Sequence, residues 1–270
     1  MTHEFARLFG TAKPVIAMVH FGAMPGSPLY DAKCGIEGLV AGAERDLEAL
    51  QRAGVDAVMF GNENDRPYEL NVDSATVAAM AYGLGRLAEK IDVPFGVNVL
   101  WDSKASISVA VAAGAAFVRE IFTGTYASDM GIWSPDAGAA LRYRNRLRGD
   151  GIKVFYNVSA EFAYSLDRRS LADRARSAVF SSVPDALLVS GAITGEPAAM
   201  SDLKAVKEAV RGVPVLANTG VRIETVSEVL RMSDGVIVGS SLKVDGDTWN
   251  PVDKSRAIEF MKRARAARGE

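Results

Sequence analysis

Four carboxylates and one imidazole follow short apolar runs, at positions where they could move a proton: Glu63, Asp102, Glu120, Glu161 and His20. A carboxyl group partly buried beside another acid has its pKa raised toward neutrality and can serve as base or acid. The catalytic groups expected here are Glu63, Glu120, Asp102 and His20, with Glu63 and Glu120 exchanging protons. Glu63 lies in Asn62-Glu63-Asn64-Asp65, four oxygen-bearing side chains where an ordinary loop needs one or two. The sequence requires no cofactor, although Glu63, Asp102 and Glu120 with water could hold Mg²⁺ or another divalent cation. Asn62, Asn98, Arg119, Asn157, Glu161, Ser190 and Gly191 are expected to orient a substrate. Asp102 could instead cap a helix from Ser103, and Arg119 is either an anion clamp or an ion-pair partner.

A second constellation pairs Asn218-Thr219-Gly220 with Gly239-Ser240-Ser241, each directly after an apolar run. Glycine lets backbone amides approach an oxyanion, hydroxyls add donors, and a short helix from Ser240 would point its positive end inward. Asn218, Thr219, Gly220, Gly239, Ser240 and Ser241 are therefore expected to bind phosphate; the alternative is that they only make tight turns. Ser190-Gly191 and Thr194-Gly195 widen the same cup.

Other chemistries are restricted by composition. Only His3 and His20 are present, so no site can use three imidazoles. Cys34 is the only cysteine; it makes no intramolecular disulfide and is expected to be a semi-buried filler. No lysine ends an inward strand where an imine would form: Lys153 enters a strand, and Lys243 reads as a phosphate or surface charge. A net charge of −2 disfavours nucleic acid as a partner. No apolar run reaches membrane-spanning length and none opens the chain as a signal peptide, so a cytoplasmic protein without a membrane partner is expected.

Positioning such groups needs a scaffold, and the spacing of apolar runs supplies one. Strands are expected at Val15–Val19, Ala57–Phe60, Phe95–Val99, Ala116–Arg119, Lys153–Asn157, Ala186–Val189, Val215–Ala217 and Val236–Val238. Each is short and nearly all apolar, as strands covered on both faces are. Between them run helical segments such as Glu37–Ala53, with Leu39, Ala43, Leu47 and Leu50 at three- and four-residue intervals. Asp73 or Ser74 can cap the helix through Leu84. Odd strands follow Pro14, Pro94 and Pro214, while even strands are entered through Asp56, Asp185 and Asp234. This alternation predicts an α/β protein, a single-domain (β/α)₈ TIM barrel over residues 1–270 with 1–13 as a short N-terminal extension. No G-x-G-x-x-G follows the first strand, against a Rossmann sheet. Lys262, Arg263, Arg265 and Arg268 read as the solvated face of the last helix. In such a barrel the site lies at the strand C-termini.

The phrases Val19-His20-Phe21-Gly22-Ala23-Met24-Pro25-Gly26-Ser27-Pro28, Gly96-Val97-Asn98-Val99-Leu100-Trp101-Asp102, Thr125-Tyr126-Ala127-Ser128-Asp129-Met130-Gly131 and Asp234-Gly235-Val236-Ile237-Val238-Gly239-Ser240-Ser241-Leu242-Lys243 together resemble the BtpA/SgcQ family. The resemblance spans nearly the whole chain and implies a (β/α)₈ barrel. Asn62-Glu63-Asn64-Asp65-Arg66-Pro67-Tyr68 is similar to the branch associated with sugar-uptake and sugar-phosphate gene clusters. The photosystem I branch often carries a Lys-His pair after the fifth strand, where this chain has Asn157-Val158-Ser159-Ala160-Glu161-Phe162.

The leading expectation is an enzyme acting on a small phosphorylated sugar or sugar-like metabolite by isomerisation, epimerisation or non-imine aldol cleavage. Hydrolysis of a glycosidic or nucleosidic bond, or a non-catalytic assembly or regulatory role, are the alternatives. A homo-oligomer is expected.

Overall fold

The computed structural model describes residues 3–270. A first helix, α1 (His3–Phe9), precedes β1 (Val15–His20), α2 (Gly35–Ala53), β2 (Ala57–Gly61), α3 (Ser74–Leu87), β3 (Phe95–Asn98), α4 (Ser103–Ala113) and β4 (Phe117–Glu120). Two short strands, β5 (Tyr126–Ser128) and β6 (Gly131–Trp133), lead to α5 (Ala137–Arg146), β7 (Lys153–Asn157), β8 (Ala163–Ser165) and α6 (Leu171–Ser182). The chain closes with β9 (Ala186–Val189), α7 (Met200–Ala209), β10 (Val215–Asn218), α8 (Val226–Met232), β11 (Val236–Val238) and α9 (Lys254–Arg268). Eight strands form a closed parallel barrel in the order β1-β11-β10-β9-β7-β4-β3-β2, so the α/β single-domain (β/α)₈ TIM barrel is what the sequence makes.

The entry residues do more than turn the chain. Asp56, Asp185 and Asp234 each accept a hydrogen bond from an amide at the start of the preceding barrel strand: Val15 at 2.7 Å, Val154 at 2.9 Å and Val215 at 2.9 Å. The carbonyls of Pro14, Pro94 and Pro214 accept from Val236, Val58 and Leu187 at the same end. These strand pairs are thus stapled where they begin, and amides that would otherwise be buried unpaired are satisfied. Asp234 is 6% exposed and also pairs with Lys207. Asp234→Ala is expected to cost about 2–3 kcal/mol, read from urea unfolding midpoints at unchanged slope.

Inward-facing residues alternate along every strand. Ile16, Met18, Met59, Phe117, Phe155 and Leu188 fill the barrel, and Phe5 and Phe9 of α1 close its N-terminal end, with Phe9 edge-on to Phe117 at 5.7 Å. The N-terminal extension is therefore a plug. Of the basic cluster on α9, Lys262, Arg263 and Arg265 are exposed as expected, with Arg265 donating to the Gly54 carbonyl, whereas Arg268 departs from the solvated face, its side chain 5% exposed and paired with Asp56 at 2.7 Å. Arg265 and Arg268 tie the last helix to the barrel base. Cys34 is exposed, at the start of α2, rather than a semi-buried filler.

Over the other end, β6-β5-β8 form a small antiparallel sheet that the sequence reading did not contain. Tyr126 and Trp133, 4.9 Å apart, face inward from it. Trp101 meets Trp133 at 6.4 Å, Tyr68 at 6.0 Å and Phe162 at 6.3 Å, which makes an aromatic canopy over one side of the mouth. No helix among the described residues is long and apolar enough to cross a membrane.

Candidate active site

The last inward position of each strand builds the floor of the site. Register places His20 beside Gly61, and Gly61 beside Asn98. The same phase along β4, β7 and β10 delivers Arg119, Asn157 and Asn218. A polar layer here is costly unless its members bond one another, and most of them do. Arg119 donates to Asn98 Oδ1 at 2.5 Å and to Asn218 Oδ1 at 3.2 Å. Asn218 Nδ2 donates to Glu161 Oε1 at 3.1 Å and to Ser190 Oγ at 2.8 Å; Asn157 Nδ2 reaches the same two atoms at 3.2 and 3.4 Å. Glu63 Oε1 lies 3.5 Å from His20 Nε2 and 3.9 Å from Arg119.

Above this layer is a tight cavity of about 30 Å³, room for one or two water molecules, walled by His20, Glu63, Arg119, Glu161, Trp101 and Phe162 among others. It shares Thr194, Gly195, Gly220, Gly239 and Ser240 with an adjoining open chamber of about 570 Å³. Several buried polar atoms of the mouth have no protein partner: His20 Nδ1, Glu63 Oε2, Trp101 Nε1 and Asn157 Oδ1.

Electrostatics separates the candidates. Burial raises the Glu63 carboxyl, opposed by the Arg119 and Lys243 charges. Burial also raises Glu161, against Arg119 and the Ser190 hydrogen bond. His20 is pushed down to about 3, by burial first and then by Lys243, so it is a neutral imidazole at physiological pH. Lys243 is neither a phosphate ligand nor a surface charge. It is 3% exposed and pairs with the buried Asp46 of α2 at 3.3 Å.

The structure reassigns several residues. Glu120 lies one residue out of phase with the polar layer and is not among the residues walling the tight cavity. Its Oε1 accepts from Asn98 at 2.6 Å and its Oε2 from the Ile121 amide at 2.8 Å. Glu161 takes the place opposite Glu63 that the sequence reading gave to Glu120. Asp102 caps α4, accepting from the Lys104 and Ala105 amides, and also accepts from Val72. Asn62 joins the loops after β2 and β3, with its Oδ1 accepting from Leu100 and its Nδ2 donating to Asp65. The trio Glu63, Asp102 and Glu120 is not a metal cage: among the described residues no group of three or more His, Cys, Asp or Glu is arranged to hold a metal ion.

The small-residue loops also divide. Asn218 belongs to the polar floor. Thr219 Oγ1 accepts from the Gly191 amide at 2.8 Å and donates to the Glu196 carbonyl at 2.9 Å, so its hydroxyl and the Gly191 amide staple two loops together. Gly220, at φ +59°, lets that packing happen, since a Cβ there would sit 2.1 Å from Pro197 N. Gly220, Gly239, Ser240 and Ser241 do wall the outer chamber. The helix expected at Ser240 is a single 3₁₀ turn, Ser240–Leu242, too short for a substantial dipole.

Glu120 is pushed up to about 8 by burial, against the Ile121 and Asn98 hydrogen bonds and Arg119. A carboxyl that holds its proton more tightly when folded stabilises the fold most below its ordinary value of 4.5, and that contribution is lost as pH rises toward 8. Stability is expected to fall by about 2–4 kcal/mol from pH 5 to pH 8 and then level off. Urea midpoints across that range should show a smaller slope in Glu120→Gln; an equal slope refutes the assignment.

A family model described as the BtpA family matches residues 11–266. The "Putative sgc region protein SgcQ" of Escherichia coli K12 is 46% identical over 95% of this chain and 96% of its own length. The "Photosystem I biogenesis protein BtpA" of Synechocystis is 31% identical over 96% of this chain and 90% of its own. Among solved structures, N-(5'-phosphoribosyl)anthranilate isomerase from Pyrococcus furiosus aligns with a TM-score of 0.56 at 14% identity, covering 94% of this chain and 99% of that one, a likeness of fold. With the closed barrel and the match across almost its full length, the chain belongs to the BtpA family.

Proposed function

We propose that the protein is an enzyme that moves a proton next to a carbonyl in a small phosphorylated sugar or sugar-like metabolite, giving isomerisation, epimerisation or aldol cleavage without an imine. One observation carries this reading. Two buried acids with raised pKa values, Glu63 and Glu161, share a guanidinium at a tight cavity that opens into a larger polar chamber. An acid whose proton affinity is raised by burial is a stronger base once ionised and can take a carbon-bound proton and return it. Arg119 would carry the charge that develops on the carbonyl oxygen, and neutral His20 would donate a hydrogen bond to it. Glycine and serine at 220 and 239–241 would meet the phosphate in the outer chamber. The phosphoribosyl group in the name of the isomerase that shares this fold agrees with that reading.

The test is a panel of aldose and ketose phosphates in D₂O, followed by proton NMR with and without Mg²⁺. Exchange of a carbon-bound proton next to the carbonyl, or interconversion, supports the proposal. Binding without exchange or turnover across the panel points to a ligand-binding scaffold.

A further inference from the structure

We infer that Arg256 is the charged clamp of an oxyanion seat in the outer chamber, and that the seat takes the phosphomonoester of a hydroxylated carbon chain rather than a nucleotide. The inference rests on the reading above and names the cation and the substrate body that the site would take. Arg256 stands in the first turn of α9, half-buried, and lines the chamber with Ser240, Ser241 and Thr248. Its Nε donates to the Ser241 carbonyl at 2.9 Å, which fixes the plane of the guanidinium. Its Nη2 would lie 3.5 Å from a Cβ on Gly246, a position with no side chain to cover it.

The other arginines of the helix are engaged elsewhere. Arg263 pairs with Glu259, Arg268 pairs with Asp56, and Arg265 donates to the Gly54 carbonyl. Arg256 has no ion pair among the described residues. A half-buried cation held by a backbone carbonyl keeps its remaining N–H fork for a planar or tetrahedral anion. Ser240 Oγ and Thr248 Oγ1, 2.5 Å apart, add hydroxyls on the same wall.

The chamber's other walls define the rest of the ligand. Glu224, Asp245 and Asp247 offer acceptors suited to hydroxyl groups. None of the lining residues is aromatic, so a nucleobase would find no flat surface to stack on; the aromatic rings are gathered in the canopy instead. A volume of about 570 Å³ exceeds what a phosphate alone needs, and the chamber meets the tight cavity at Gly220 and Gly239. A polyol phosphate anchored at Arg256 would extend inward toward Glu63.

Isothermal titration of the full chain with inorganic phosphate, ribose 5-phosphate and AMP tests this, using wild type, Arg256→Met, Arg256→Gln and Arg256→Lys. Wild type is expected to bind phosphate and ribose 5-phosphate competitively. The two neutral variants, checked for unchanged melting temperature, should each weaken both by about 10–100-fold, and the lysine variant should fall between. If either folded neutral variant binds phosphate like wild type, the clamp is refuted while the proposed function stands. AMP binding tighter than ribose 5-phosphate overturns the polyol assignment. Failure of wild type to bind phosphate or ribose 5-phosphate removes the phosphate reading itself.

Discussion

Glu63→Gln is expected to lower turnover of whichever panel substrate the wild type converts by about 10²–10⁴-fold, while changing its dissociation constant by less than about threefold. The substitution keeps the shape of the side chain and removes only its ability to exchange a proton. That distinction matters because Glu63 Oε2 is buried with no protein partner, and Oε1 stands 3.5 Å from His20 and 3.9 Å from Arg119. The free oxygen is the one no protein group holds. Burial raises the Glu63 carboxyl, which strengthens it as a base once ionised, while the Arg119 and Lys243 charges oppose the rise. His20, held neutral, cannot substitute as a proton donor of imidazolium strength. Two measurements check this: the kcat and KM of the variant, and the exchange of substrate protons in D₂O. Loss of binding together with turnover would make Glu63 a ligand-orienting group. Retained exchange would move the base to Glu161.

Much of the scaffold could be read from the chain because parallel barrel strands are buried on both faces and appear as short unbroken apolar runs. Val15–His20 and Lys153–Asn157 stand out for that reason. The proline and aspartate that introduce alternate strands are also visible, but their partners are not. That Asp56 bonds Val15 depends on register between segments 41 residues apart. The three-residue strands of the canopy, such as Tyr126–Ser128, are too brief to display a period.

Within the site, residue type pointed to the mouth and phase decided who reached it. Glu120 and Glu161 both follow strand ends and look equivalent in sequence. One residue of phase puts Arg119 in the inward layer and Glu120 out of it, while the turn after Asn157 returns Glu161 to the cavity. The period of two along β4 was the available signal. Thr219 and Asp102 are polar for local reasons, a loop staple and a helix cap, and short polar side chains fit such roles as readily as they fit a ligand. Arg256 lies far from any strand end, and only the folded loop carrying Ser240 and Ser241 gives it a cavity to face.

Arg119→Met should lower stability by about 3–5 kcal/mol at pH 8 and abolish turnover, with the stability loss shrinking toward pH 5. Arg119 is 7% exposed and is the cation that Glu63 and Glu161 share. Methionine fills similar volume and brings no charge, leaving two buried acids to ionise against burial alone. Their pKa values would then rise further above the ordinary 4.5. An acid raised in the folded state favours folding when protonated, and that contribution disappears as pH climbs through the folded pKa. Raising both acids further therefore penalises the variant more at pH 8 than at pH 5, because lower pH favours the protonated form that burial tolerates. Arg119→Lys separates charge from geometry. An ammonium restores much of the stability but cannot hold Asn98 Oδ1 and Asn218 Oδ1 with one planar fork, so turnover should stay low while the pH dependence returns toward wild type. Urea midpoints at pH 5, 6.5 and 8 for the three proteins provide the measurement. A methionine variant whose deficit is the same at pH 5 and pH 8 would mean that Arg119 contributes packing and hydrogen bonds to the floor without controlling the protons of the acids above it.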